Sequence, residues 1–214
     1  MKHIGLHSVL PQAFAHESDL HSEVWNCDVV FERGRKYLIE AGSGMGKSTL
    51  CSYLIGYRHD YSGQLLFDGK DAKVMTVFDW GELRRNQVSY LFQELRLFPE
   101  LTALENVSIK NRLTSHVSSA QVNEWFERLE IADKRDVRIG RMSFGQQQRV
   151  ALIRALAQPF DFMLLDEPVS HLDDHCARAM ASLLSEEVAR QGAGVIATSI
   201  GKHLELDYDK ILKL

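Results

Sequence analysis

The chain is poor in cysteine. It has three in 214 residues, Cys27, Cys51 and Cys176, far apart and odd in number. They form neither a disulfide framework nor a metal-ligand spacing, so a reducing compartment fits them best. Cys51 reads as a small buried side chain. An excess of basic charge is also missing: 25 Lys and Arg stand against 29 Asp and Glu, for a net charge of −4. That balance weighs against a broad nucleic-acid surface, and no nucleic-acid partner is expected. No apolar run approaches the ~20 residues that cross a bilayer. Met1-Lys2-His3-Ile4 does not open a secretory signal. The chain therefore reads as soluble by itself, with any membrane role supplied by a partner. Repeats and low-complexity linkers are absent too, and the length fits one domain, or one domain with an insertion.

What is present begins with a glycine-rich stretch, Ala41-Gly42-Ser43-Gly44-Met45-Gly46-Lys47-Ser48-Thr49. It follows the apolar run Tyr37-Leu38-Ile39 and opens a helix expected over Leu50 to Tyr57. Strand, loop and helix in that order are the context of a phosphate-binding P-loop. Its glycines let backbone N–H groups turn toward phosphate oxygens, and the helix N-terminus adds a field that favours anions. Lys47 would reach the β- and γ-phosphates, and the Ser48 hydroxyl would ligate Mg²⁺. The alternative, a Gly/Ser surface loop, needs Gly-Lys-Ser to fall at this boundary by chance.

Around this stretch the pattern is α/β. Strands are expected over Ile4–Leu10, Val24–Phe31, Ser62–Phe67 and Val88–Phe92. From Glu94 to Met142 the character becomes helical, with helices over Thr102–Leu113 and Ser118–Glu130. In the second, Val122, Trp125, Phe126 and Leu129 recur at helical spacing and read as core. The region reads as a helical subdomain, about 94–142, inserted in a nucleotide-binding core. A helix over Gly145–Gln158, a buried strand Phe162–Leu165, a helix over Asp174–Arg190 and strands Gly194–Thr198 and Asp209–Leu214 follow. Alternating strands and helices argue for a mostly parallel sheet covered on both faces.

Phe162-Met163-Leu164-Leu165-Asp166-Glu167 is a buried strand ending in two carboxylates. Placed next to the P-loop strand, it would deliver Asp166 to the Mg²⁺ shell and put Glu167 where it could polarise a water. Met142-Ser143-Phe144-Gly145-Gln146-Gln147-Gln148-Arg149 then resembles the signature motif of ABC-transporter ATPases. Leu91-Phe92-Gln93 is similar to that family's Q-loop, and Ser170-His171-Leu172-Asp173 to its D-loop. Phe14 lies at about the right distance before Lys47 to stack on adenine. Five ordered motifs spread the resemblance over the whole chain. The lipoprotein-release, macrolide-export and cell-division type ATPases are the most similar in look.

The resemblance implies a fold and a mechanism. The fold is a P-loop NTPase core with an N-terminal antiparallel β-subdomain and an inserted helical subdomain, residues 1–214 forming a single ATPase domain. Two such domains pair head to tail, as a homodimer or with a related ATPase. Each ATP lies between the P-loop of one and Ser143, Phe144, Gly145 and Gln146 of the other. Asp173 helps couple the two sites. Gln93 touches Mg²⁺ and the attacking water and relays the change to the helical subdomain, which grips a transmembrane permease subunit. The chain would then sit in the cytoplasm, peripheral on the inner face of the membrane.

Four positions depart from the family pattern. Ala41 replaces the first P-loop glycine, where the backbone angles are less extreme than at Gly44 or Gly46. Phe144 replaces a signature glycine and could project toward a partner. His171 stands where a small residue is usual. Ser199 replaces a histidine that contacts the γ-phosphate. A serine hydroxyl can bond a phosphate oxygen but carries no charge, so hydrolysis is expected to be slow. His203 is four residues on and is expected on the wrong side. Two other readings are a soluble single-domain ATPase in cofactor assembly and an ATP-sensing module with weak catalysis.

Overall fold

The computed structural model describes residues 1–17, 20–169 and 173–214. Two sheets organise them. In the first, β1 (His3–Pro11) pairs antiparallel with β2 (Asp28–Glu32) and β4 (Tyr61–Phe67), and β5 (Lys70–Asp71) extends it, in the order β2-β1-β4-β5. The strand expected from Val24 starts only at Asp28. Asn26 has φ 55° and donates its N–H to the Val9 carbonyl at 2.8 Å, so the chain turns there and buries Val24 and Trp25.

The second sheet is parallel: β6 (Val88–Leu91), β7 (Phe162–Asp166), β8 (Gly194–Ser199), β3 (Lys36–Glu40) and β9 (Lys210–Lys213), in that order. The strand that carries Asp166 is therefore not the neighbour of the P-loop strand; β8 lies between them. Strand order follows from long-range crossovers that local sequence does not encode. The consequence for the site is small, because parallel strands all end on one side. Glu40, Asp166 and Ser199 reach the same sheet edge, where α/β ligands bind.

Side-chain alternation divides the interior in two. Phe162, Leu164, Ile196, Tyr37 and Ile39 face the antiparallel sheet and α1 (Lys47–Leu54). Met163, Leu165, Val195, Ala197 and Leu38 face the other way, onto α3 (Ala103–Asn111), α4 (Ser119–Arg128), α5 (Phe144–Leu156) and α6 (Asp174–Gln191). All five residues of β7 are buried, as a strand covered on both faces must be. Thr102 and Glu105 form a capping box that starts α3, and the Ser118 hydroxyl caps α4. Trp125 and Phe126 are 1% exposed and are core.

Two helices also differ from the sequence reading. Helix α1 begins at Lys47, three residues earlier than its apolar pattern suggests, because its first turn is polar and faces the loop. Helix α2 (Val77–Glu82), continued by a wide turn over Leu83–Gln87, has no sequence counterpart. Its capping box, Thr76 with Asp79, is clear, but Val77 and Phe78 are 87% and 76% exposed, which hides the amphipathic signal.

Candidate active site

The Ala41–Thr49 loop joins the end of β3 to the N-terminus of α1. Gly44 and Gly46 have φ of 81° and 95°, a region open to glycine at little cost, whereas Ala41 is not among the positive-φ residues. A Cβ on Gly46 would stand 3.0 Å from Cε2 of Phe14 and 3.2 Å from the Trp25 indole. Phe14, in a 3-10 turn over Gln12–Phe14, therefore lies against the start of α1. Trp25, which the sequence reading did not single out, donates its Nε1–H to the Met45 carbonyl at 3.2 Å and so fixes the loop from below. Its signal is a lone tryptophan in a turn, which looks like core until the loop is placed.

Lys47 is 5% exposed. Its ammonium donates to the carbonyls of Ala41 at 3.1 Å and Gly42 at 2.8 Å and lies 3.5 Å from Glu167 Oε1. The charge thus folds back over the loop onto the carboxylate that follows β7. Glu167 has φ 48°, an uncommon conformation for a non-glycine residue and one that clusters at functional sites. Its other oxygen accepts from Gln93 Nε2 at 3.3 Å. The structure therefore brings Lys47, Gln93 and Glu167 together from three segments, Gln93 lying 46 residues after Lys47 and Glu167 a further 74 after Gln93.

Asp166, 2% exposed, ends β7. The Thr198 hydroxyl donates to its Oδ1 at 2.7 Å, and the Tyr90 hydroxyl to its Oδ2 at 3.0 Å. Burial, together with Cys51 and Asp166 nearby, pushes the Tyr90 hydroxyl's pKa up, so Tyr90 stays a donor. Burial likewise raises the Cys51 thiol well above its ordinary value, which makes it unreactive. The Ser48 hydroxyl and the Asp166 carboxylate are the hard oxygens expected of a nucleotide-borne divalent cation, which takes few protein ligands. Among the described residues no group of three His, Cys, Asp or Glu side chains forms a resident metal cage.

Ser199 closes the same edge. Its carbonyl accepts from the Ala41 N–H at 3.1 Å, so it abuts the loop. Its hydroxyl is spent locally: it donates to the Lys202 carbonyl at 2.9 Å and accepts from the Gly201 N–H at 2.8 Å. The residue is fully buried. The expected hydroxyl for a phosphate oxygen is thus occupied in holding a turn. His203 Nδ1 lies 3.2 Å from the Gly201 carbonyl and its ring packs edge-on to Tyr208.

The signature residues lie apart from the loop. Ser143 caps α5: its Oγ accepts from the Gln146 N–H at 3.3 Å, and Gln146 Oε1 accepts from the Ser143 N–H at 3.0 Å. Phe144 is the first helical residue and is 42% exposed; Gly145 follows it in the first turn. Asp173 caps α6 through the Cys176 N–H at 2.8 Å, a bond that holds its carboxyl below the usual range. Ser170, His171 and Leu172 lie outside the described residues.

A family model described as ABC transporter matches residues 24–170. The chain is 32% identical over 188 residues to a macrolide export ATP-binding/permease protein, MacB, of a Shewanella species, covering 85% of this chain and 28% of that one. It is 31% identical over 202 residues to LolD, a lipoprotein-releasing system ATP-binding protein of Xylella fastidiosa, covering 92% and 84%. The curated relatives it matches at 34% identity are longer, the chain spanning 57% of their length. The solved dimeric structure of MJ0796, a bacterial ABC transporter cassette, superposes with a TM-score of 0.83 at 25% identity, covering 99% of this chain and 94% of that one. The loop, the paired carboxylates at the end of β7, the capped signature helix and these matches lead to one conclusion: the chain belongs to the ABC transporter family and is an ATP-binding cassette of it.

Proposed function

We propose that this chain binds and hydrolyses ATP as the subunit that drives a membrane permease, in the manner of the lipoprotein-release and macrolide-export systems it is similar to. The observation that carries the reading is Lys47 and Glu167 facing each other across the P-loop, with Gln93 on the second Glu167 oxygen. Phe14 stacks on adenine, and the backbone from Gly42 to Thr49 cradles the phosphates. Lys47 leaves the Ala41 and Gly42 carbonyls for the β- and γ-phosphates, which frees Glu167 to orient and deprotonate water. Ser48, Gln93 and Asp166 would hold Mg²⁺, which neutralises phosphate charge when bound. Residues 1–214 act as one domain. Two copies, or one copy and a related ATPase, close head to tail so that Ser143, Phe144, Gly145 and Gln146 meet the partner's nucleotide and Asp173 links the two sites. The segment from Gln93 through α4 takes the permease, which keeps the cassette on the inner face of the membrane.

Hydrolysis is slow in this reading, because the Ser199 hydroxyl serves its turn and no imidazole stands at that position. The test is ATP turnover against protein concentration, with Glu167→Gln as control. A rate that rises more steeply than linearly and vanishes in the control is expected. Turnover that persists in Glu167→Gln would refute the role of Glu167, and no ATP binding would refute the whole reading.

A further inference from the structure

Trp25 lies in the connection between β1 and β2 and is 2% exposed. The turn that carries it is tied down on its own account. The Ser22 hydroxyl accepts from the Val24 N–H at 3.0 Å and from the Trp25 N–H at 2.8 Å. Glu23 exchanges two bonds with Lys213 of β9: its N–H donates to the Lys213 carbonyl at 2.7 Å, and its carboxylate accepts from the Lys213 N–H at 2.8 Å. The indole stands edge-on to the Tyr53 ring of α1, with centroids 6.2 Å apart. The ring is therefore a rigid support. Its single polar group, Nε1–H, reaches the Met45 carbonyl at 3.2 Å. A buried indole N–H requires an acceptor, and here the acceptor belongs to the P-loop.

The Met45–Gly46 peptide is trans, so its carbonyl and its N–H point in opposite directions. With the carbonyl on the indole, the Gly46 N–H faces away from Trp25, and among the described residues no backbone acceptor takes it. The following peptide is fixed as well. The Gly46 carbonyl accepts from the Leu50 N–H at 2.9 Å, the first bond of α1, which aims the Lys47 N–H out of the helix end. Of the two peptides, the first is the weaker point. Gly46 accepts either sign of φ at little steric cost, so the Met45–Gly46 peptide can flip unless something holds it. A flip would present the Met45 carbonyl, an acceptor, in place of the Gly46 N–H, a donor. Resting on the reading above that this loop cradles the phosphates, we infer that Trp25 is a positioning residue for the nucleotide. Its indole N–H keeps the Gly46 N–H turned to the phosphates and thereby sets nucleotide affinity. It acts through the backbone, on bound substrate and transition state alike, so it governs KM and leaves kcat.

The test compares the full chain with two variants, Trp25→Phe and Trp25→3-benzothienylalanine. The second keeps the bicyclic shape and replaces only the N–H by sulfur, so it decides the matter even where Trp25→Phe fails to fold. Fluorescence anisotropy with N-methylanthraniloyl derivatives of ATP, ADP and adenosine reads affinity. ATP and ADP should bind about tenfold more weakly to the benzothienyl variant, the usual worth of one lost hydrogen bond. Adenosine, which has no phosphate for Gly46 to meet, should bind as before. In steady-state assays at one protein concentration, KM for ATP should rise by about tenfold with kcat within about twofold. Unaltered ATP affinity in the benzothienyl variant, a loss shared equally by adenosine, or a fall in kcat at constant KM would overturn the inference and leave Trp25 a packing residue. A wild-type chain that binds neither ATP nor ADP would instead sink the ATPase reading itself.

Discussion

The Tyr90 hydroxyl donates to Asp166 Oδ2 at 3.0 Å while the Thr198 hydroxyl holds Oδ1 at 2.7 Å. The carboxylate is thus fixed from both neighbouring strands, β6 and β8, at the point where it would meet Mg²⁺. Partners that orient a metal-ligating carboxylate are typically worth about tenfold or more in metal affinity. Tyr90→Phe should therefore raise the Mg²⁺ concentration needed for half-maximal binding of a fluorescent ATP analogue by about tenfold, with Mg²⁺-free nucleotide binding changed little. An unchanged Mg²⁺ midpoint would reduce Tyr90 to a packing residue.

Ser199 makes an opposite case, a residue whose chemistry is turned inward. Ser199→Ala removes the bonds to Lys202 and Gly201. A loss of stability of about 1 kcal/mol is expected, the usual worth of such a bond, with turnover per folded molecule within about twofold. Ser199→His should raise turnover by supplying the missing donor, by up to about a hundredfold. Denaturant titration and ATPase assays on the same preparations decide it. A large loss of turnover in Ser199→Ala would show that the hydroxyl reaches the phosphate after all.

Two glycines of the loop should differ in tolerance. Gly46 combines φ 95° with the Phe14 and Trp25 rings in the path of a Cβ, whereas a Cβ on Gly42 would meet only Met45 Cγ at 3.8 Å. Gly46→Ala should cost about 1–3 kcal/mol of strain and weaken ATP binding; Gly42→Ala should cost far less. Equal unfolding midpoints in urea would contradict the strain argument.

Burial, and then the neighbouring Arg154, lowers the Lys110 pKa to about 8. In the unfolded chain it returns to about 10.4. Between those values the unfolded state binds more protons, so the contribution of Lys110 to stability is least below pH 8 and rises as pH increases through that window. Lys110→Gln should flatten this part of the pH profile. Urea unfolding of both proteins across the window measures it, and parallel profiles would argue against the buried-ammonium account.

The loop, the acidic end of β7 and the signature cap were legible because each is short and local. Gly44 and Gly46 must bend, Ser143 must cap three residues before Gln146, and Phe162–Leu165 must be buried to end in acid. The same locality explains what was missed. Helix α2 shows Val77 and Phe78 to solvent, and Trp25 looks like ordinary core until its indole is seen under Met45.

By itself, then, the sequence determined the α/β class, the family, the glycine loop and acidic strand end of the candidate site and the helical segment after Gln93, since all of these rest on neighbours along the chain. Only the tertiary structure decided the rest. It inserted β8 between the strands of the P-loop and Asp166, folded Lys47 onto Glu167, consumed the Ser199 hydroxyl in a turn and set the Trp25 indole under Met45. Those are relations between residues far apart in sequence, set by strand order and by which buried polar groups find partners.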